Sequence, residues 1–405
     1  MGYVVSNEKF FAPIRDVVSM VKLKASYGLV GNDQIGGDRR FIYNETVIGG
    51  GKYYFGTTPS QYTSVRLGEF PNPNVGWEKA KKLNLGADLS FFNQLNISVD
   101  YFKENREGIF LQRKSIPMYV GLSTKPWVNI GKMRNSGIDA SLEYHQPLGK
   151  DIHLTVRGNF TYARNRIMDQ DEPDYAYTYM NHSGQMQWQK FGLVAAGLFQ
   201  DQEDIDSWAK QSFGEVKPGD IKYLDLNGDG IVDNYDTKPI GYSDIPEIVY
   251  GFGFSLQWKA FDLSAFFQGV AHVSFSTLTD QTQAFVGRNL KESSVFADLY
   301  GNTWTPENPG AKYPRMTTGA IDNNNQLSTF WMANGRYLRL KNLELGYTLP
   351  KRIANKIAMQ SLRVYLSGVN LFTFSPFKLW EPDLQTGATN YPNNRIINLG
   401  LTIGF

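Results

Sequence analysis

Apolar and polar residues alternate one by one along most of this chain. That period of two admits half-buried strands and excludes amphipathic helices. In 83–91, Leu83, Leu85, Ala87, Leu89 and Phe91 alternate with Asn84, Gly86, Asp88 and Ser90. The same pattern runs through 95–101, 138–144, 152–162 and 251–258, and closes the chain with Ile397, Leu399, Leu401, Ile403 and Phe405 against Asn398, Gly400, Thr402 and Gly404. Weaker versions lie at 18–30, 261–273, 335–349 and 360–374. About ten strands are expected, with a possible remnant at Tyr3–Ser6.

The links between these runs alternate too. Phe92-Asn93-Gln94, Pro147-Leu148-Gly149-Lys150 and Lys259-Ala260 are short, and a helical link spans roughly Pro350 to Gln360. Long irregular segments fall between, at about 31–75, 103–132, 164–246, 274–334 and 375–394. A sandwich or propeller has no reason to alternate short and long connections. A transmembrane antiparallel β-barrel does, with short turns on one side and long external loops on the other. One strand face is apolar and aromatic, as lipid demands; the other is Asn, Ser, Thr, Asp, Gly and Gln, suited to a wet lumen. The expected fold class is therefore all-β.

Composition agrees. With 39 Gly, 26 Phe, 23 Tyr and 8 Trp among 405 residues, the bias is toward strands and turns. Basic and acidic side chains balance at 41 against 39, so there is no nucleic-acid signature. No Cys is present, which removes thiol chemistry and Cys-based metal sites. No run reaches the roughly 18 apolar residues of a spanning helix, a test that a barrel does not register on. The first residues carry no basic and then apolar signal-peptide pattern.

The last strand holds a further signal. Leu399, Leu401, Ile403 and the terminal Phe405 look like the closing strand of an outer-membrane barrel, the feature that barrel-assembly machinery reads in such proteins.

One segment carries metal-type chemistry. Asp225-Leu226-Asn227-Gly228-Asp229-Gly230-Ile231-Val232-Asp233-Asn234-Tyr235-Asp236 follows the spacing of a twelve-residue calcium loop. Asp225, Asn227 and Asp229 would offer side-chain oxygens, Ile231 its carbonyl, Asp233 a water-mediated contact and Asp236 the closing carboxylate, with Gly230 at the sharp turn. Asp stands where a bidentate Glu is usual, and no helices flank the loop. The expectation is a structural Ca2+ and no organic cofactor; an Asx-rich turn without an ion is the alternative.

Enzyme constellations are absent: there is no Gly-x-Ser-x-Gly, no P-loop, no His-Glu-x-x-His and no dinucleotide fingerprint. The four His show no ligand spacing. Loop aromatics, Tyr53, Tyr54, Tyr175, Tyr177, Tyr179, Trp304 and Trp331, are candidates for stacking on a nutrient, or for interface and loop packing.

Several segments together resemble the C-terminal part of SusC-like (SusC/RagA-type) TonB-dependent transporters. They are Val21–Asn32, Pro71–Ala80, Asn129–Ile138, the Asp225–Asp236 loop followed by Ile240-Gly241, Phe261–Gly269, Tyr337–Pro350 and Tyr365–Phe372. The resemblance implies an outer-membrane barrel of about 22 strands filled by an N-terminal plug. It implies a SusD-like surface lipoprotein as partner, energy from TonB–ExbB–ExbD through an N-terminal part missing here, and import of oligosaccharides or other large nutrients without enzymatic activity. The expectation for this chain is half a barrel, 1–405, embedded in outer-membrane lipid and not competent alone. A calcium-dependent glycan-binding surface protein is the rival reading.

Overall fold

The computed structural model describes residues 1–34, 39–122, 124–279, 282, 296–317, 319–357, 359–387 and 390–405. Eleven strands form one continuous sheet: β1 (Gly2–Val4), β2 (Val18–Asn32), β3 (Glu78–Phe91), β4 (Leu95–Gln112), β5 (Trp127–Leu148), β6 (Ile152–Asp169), β7 (Ile248–Trp258), β8 (Phe261–Ala271), β9 (Tyr337–Thr348), β10 (Ser361–Phe374) and β11 (Ile396–Gly404). Each pairs antiparallel with its neighbour in chain order, so the sheet is an up-and-down meander. The expected remnant strand is β1. The helical link is a short helix, Lys351–Ala354, followed by a 3-10 turn at Asn355–Ile357. Among the described residues β1 and β11 are each paired on one side only, so the sheet is open rather than a closed barrel.

Register carries the apolar alternation from strand to strand. Leu154, Leu256, Leu263, Leu345, Leu366 and Leu399 are successive partners across β6 to β11, six leucines in one row. The next row, Ile152, Trp258, Phe261, Tyr347, Val364 and Leu401, adds aromatic rings beside the short links. Phe261 and Tyr347 lie 4.7 Å apart. Leu85, Tyr101, Ile138, Phe160, Phe252, Leu345 and Leu366 are all exposed. A water-soluble sheet would bury this face; a lipid-facing one leaves it bare.

The opposite face is polar and ion-paired. Lys24 on β2 reaches Asp88 on β3 at 2.7 Å and Asp100 on β4 at 3.2 Å. Arg363 on β10 reaches Asp262 on β8 and Glu344 on β9, each at 2.5 Å. Both clusters lie over a glycine. A Cβ on Gly86 would fall 2.1 Å from Asp100 Oδ1, and one on Gly346 would fall 2.5 Å from both Arg363 Nη2 and Asp262 Oδ1. The missing side chain lets residues from the flanking strands meet across the middle one.

The strands run further than hydropathy indicates. The segment expected as a loop over 103–132 is paired strand up to Gln112 and again from Trp127. Lys103 to Glu107 is polar at every position and Ile109, Phe110 and Leu111 are apolar in succession, so neither run alternates and a period-two search misses both. The ladder persists through backbone bonds and ion pairs such as Arg106 with Glu78 at 2.8 Å and with Glu104 at 2.6 Å. At about 3.3 Å per residue, β5 is far longer than the roughly 9–11 residues a membrane crossing needs. Likewise β6 continues to Asp169, and 31–75 contains a hairpin of Val47–Phe55 with Ser60–Leu67.

The leucine row generates a test. Leu343→Arg, one step further from the short links on the same face, is expected to cost about 2–4 kcal/mol in lipid, and Ser367→Arg on the polar face less than about 1 kcal/mol. Equilibrium folding titrations in vesicles measure both. Equal costs would sink the assignment of faces.

Candidate functional site

The two longest connections, between β6 and β7 and between β8 and β9, fold on each other into a compact platform at one end of the sheet. Its core holds Leu193, Leu198, Ile221, Tyr223, Val232, Leu299, Trp304, Tyr313 and Trp331. Short ladders tie it together: Ala195–Leu198 with Ile221–Tyr223, Lys210–Gln211 parallel to Ile231–Val232, and Ser274–Ser276 with Met332–Asn334. Buried polar groups find partners across the two connections. Tyr223 Oη donates to the Asn323 carbonyl at 2.8 Å, and Asn323 Nδ2 to the Ile221 carbonyl at 2.7 Å; within the second connection, Trp331 Nε1 donates to the Asn324 carbonyl at 2.8 Å. The fully buried Asp220 accepts from Asn324 Nδ2 at 2.9 Å and Arg315 Nη2 at 3.1 Å.

The Asp225–Asp236 loop projects from this platform. Asp225 accepts from the backbone N–H of Gly228 at 2.7 Å and of Gly230 at 2.8 Å. Asn227 accepts from Asp229 N, Asp229 from Ile231 N, and Asp233 from Tyr235 N. Asp236 is fully buried and accepts from Leu226 N at 2.7 Å, Asn227 N at 3.3 Å and Asp233 N at 2.8 Å. Gly228 and Gly230 take positive φ, +76° and +85°, which the sharp turn requires. The oxygens expected to converge on Ca2+ are thus directed at the loop's own N–H groups. Among the described residues no three His, Asp or Glu side chains gather into a cation site. The arrangement fits the Asx-rich turn, in which backbone donors meet the carboxylate charge.

The candidate aromatics do not form one surface. Tyr53 and Tyr54 lie on the 47–67 hairpin, 58% and 61% exposed. Tyr175 sits beside His182, with ring centroids 5.9 Å apart. Tyr177 stacks on Tyr179 at 5.3 Å, and Tyr179 Oη donates to the Tyr235 carbonyl at 2.7 Å, which clamps the acidic loop. Trp304 is 9% exposed, within the platform core, and a Cβ on Gly219 would lie 2.4 Å from its ring. It is a packing residue and presents no face for a sugar. On β11, Leu399, Leu401 and Ile403 are exposed, Ile403 the least of them, and so is Phe405 just beyond the strand.

Sequence reasoning missed two charged clusters at the platform end. Glu247, nearly buried, accepts from Arg164 Nε at 2.5 Å and Nη2 at 3.0 Å, and its Oε2 lies 3.1 Å from His272 Nδ1. Arg339, 2% exposed, meets both Glu381 and Asp383. The second had a signal: Arg339 shares odd parity with the lipid-facing Leu343, Leu345 and Tyr347, a place where arginine does not belong.

Comparison with known proteins fits this geometry. Residues 40–237 match the family model described as TonB dependent receptor-like, beta-barrel. TonB-dependent receptor P3 of Formosa agariphila is 29% identical, over 100% of this chain and 41% of its own length. TonB-dependent receptor SusC of Bacteroides thetaiotaomicron is 25% identical, over 100% of this chain and 39% of its own length. Among solved structures, the RagAB peptide importer in its open-open state superposes with a TM-score of 0.73 at 22% identity, over 100% of this chain and 42% of that one. The chain carries β-barrel sequence of the TonB-dependent receptors. Across its whole length the chain is similar in sequence to the SusC receptor, and it shares its fold with the RagAB importer. It spans about two-fifths of the length of these relatives. Such receptors are outer-membrane proteins, and the exposed apolar face is the one that meets lipid.

Two predictions follow from the platform. Asp236→Ala strands three N–H groups and is expected to loosen the loop by about 3 kcal/mol. The rise in proteolysis at 225–236 should be the same in calcium and in chelator; protection that appears only with calcium would show a bound ion.

The second concerns acid. Lys312 at 2.5 Å, helped by Tyr313 at 2.6 Å, holds the Asp298 carboxyl below its ordinary 3.8. Burial works against the Asp204 and Asp171 carboxylates. Lys222 at 2.9 Å outweighs it for Asp204, and Arg113 at 2.9 Å with the Ser115 and Lys114 N–H groups outweighs it for Asp171. Groups with depressed values stabilise fully above their unfolded value and lose that contribution as pH falls through the folded one. The platform connections should therefore open to protease below about pH 4 while the strand ladder stays protected. Hydrogen exchange across pH 3–7 measures both regions at once.

Proposed function

We propose that this chain forms about half of the wall of an outer-membrane importer, with the polar sheet face toward the lumen and the platform at the external mouth. The observation that carries this is the sheet itself: eleven antiparallel strands with a bare apolar face, an ion-paired polar face, and long connections gathered at one end. Each edge strand offers unpaired backbone groups, and in lipid each such group costs several kcal/mol. The wall is therefore completed by further strands outside 1–405, and the chain does not transport alone.

The cargo is a large nutrient, an oligosaccharide or a peptide. Likeness to the SusC receptor and to the RagAB peptide importer supports that range. A SusD-like surface lipoprotein as partner, energy from TonB–ExbB–ExbD and insertion by the barrel-assembly machinery belong to the same proposal. The platform is the surface available to such a partner.

Expression in a host lacking its own receptor tests the reading. With the remaining strands and the partner supplied, the complex should migrate in a heat-modifiable way in detergent gels and support growth on oligosaccharides or peptides too large for porins. The chain alone should do neither. Uptake by the chain alone, or a detergent-free soluble monomer, would overturn the proposal.

A further inference from the structure

The Arg339 cluster has no part in the wall's lipid face or in the platform core, and its position depends on a local irregularity. Opposite β8, Asn342 pairs with Phe266 and Leu340 with Phe267, so Lys341 is an extra residue in β9. Opposite β10, Leu340 pairs with Phe372 and Asn342 with Val369. This bulge inverts the parity of everything before it. Without it, Arg339 would point into lipid with Leu343 and Leu345. With it, Arg339 pairs with Gln268 and Thr373 and faces inward, its Nε donating to Thr373 Oγ1 at 3.0 Å.

The inward guanidinium is taken up by the connection between β10 and β11. Asp383 accepts from Arg339 Nη1 at 2.5 Å and Glu381 from Nη2. The same segment is anchored at other points. Ser375 Oγ donates to the Arg336 carbonyl at 2.9 Å, and Gln385 Nε2 to the Asp244 carbonyl, just before β7, at 2.6 Å. Phe377 and Trp380 pack on Phe275 at 5.0 and 6.4 Å. Residues 375–387 therefore leave β10, run inside β9 and reach the start of β7.

We propose that 375–387 is a strap across the inner side of the mouth, latched by the fork of Arg339 on Glu381 and Asp383, and that release of this latch widens the entrance. The two carboxylates sit on a connection whose regular structure is a single 3-10 turn, Pro382–Leu384, whereas Arg339 sits on a strand. The strap is thus the part that moves, and Arg339 is a positioning residue. A planar five-donor fork holds two carboxylates at once, which a lysine ammonium does less well. The bulge at Lys341 exists on this view to turn the latch inward.

This inference rests on the outer-membrane barrel reading, and the test keeps the two apart. The chain has no Cys, so Leu384→Cys places a single thiol on the strap. In outer-membrane vesicles carrying the complete receptor, its labelling by a bulky maleimide reports opening. Tyr300→Cys, at a fully exposed position on the platform, is the reference. The expected order of rates is wild type, then Arg339→Lys, then Arg339→Gln, with the last at least about tenfold above wild type because a buried pair is broken. Heat-modifiable migration should be unchanged throughout; its absence in the wild type would instead tell against the barrel reading. If Arg339→Gln does not insert, Glu381→Gln keeps one carboxylate on the arginine and should give an intermediate rate. Equal labelling in all inserted variants, or a wild-type rate equal to that of the Tyr300→Cys reference, would overturn the latch.

Discussion

Every backbone N–H and C=O that enters lipid must find a partner within the protein, and the rest of the structure depends on that requirement. Only a helix or an unbroken ladder of strands meets it. No helix among the described residues is long and apolar enough to cross a membrane, and the ladder from β1 to β11 is continuous. Once the ladder is in place, parity settles the face of each residue, since a slip of one moves a whole strand's apolar set to the other side. The six-leucine row and the Lys24 and Arg363 clusters are two consequences of one register. The Lys341 bulge is the exception that confirms its force: a single added residue is enough to take Arg339 out of the lipid face.

The chain is held together in two different ways. The wall has almost no packed core of its own; its apolar side chains face outward, and hydrogen bonds and cross-strand pairs carry it. The platform stands in water and does what soluble proteins do, burying Leu193, Ile221, Tyr223, Val232 and Trp331 and satisfying Asp220 internally. The large aromatic content therefore divides between rings in the lipid-facing rows, such as Phe261 and Tyr347, and rings inside the platform, such as Tyr223 and Trp331. A single figure for the whole chain hides this division.

The same division decides what was legible in the sequence. Period two exposes a strand only where one face is apolar, so the crossing segments could be read, and the meander with them. It fails where alternation lapses, in the all-polar run Lys103–Glu107 and the all-apolar run Ile109–Leu111, which is why Lys103–Gln112 reads as loop while its backbone remains paired. The platform core could not be read, because its members come from segments about a hundred residues apart with no common period. Spacing alone also leaves chemistry open. Asp225, Asn227, Asp229, Ile231, Asp233 and Asp236 stand at cation-loop intervals, yet the carboxylates are directed at N–H groups. Trp304 has the composition of a binding residue and the burial of a core one.

The inner face shows why glycine recurs in a wall that gains nothing from its flexibility. An ion pair between adjacent strands reports only their mutual register. Arg363 reaches past β9 to Asp262 on β8 while also holding Glu344, so one side chain ties three strands. Such a reach is possible only over a residue without a Cβ, and Gly346 supplies it; Gly86 does the same beneath Lys24 and Asp100. Glycine weakens a strand by lost entropy and packing. Here that cost is set against pairs that a register slip of one would break on three strands at once. In a sheet whose outer face offers lipid little to discriminate one leucine from the next, the specificity of pairing resides on the inner face, in charges that meet across glycines.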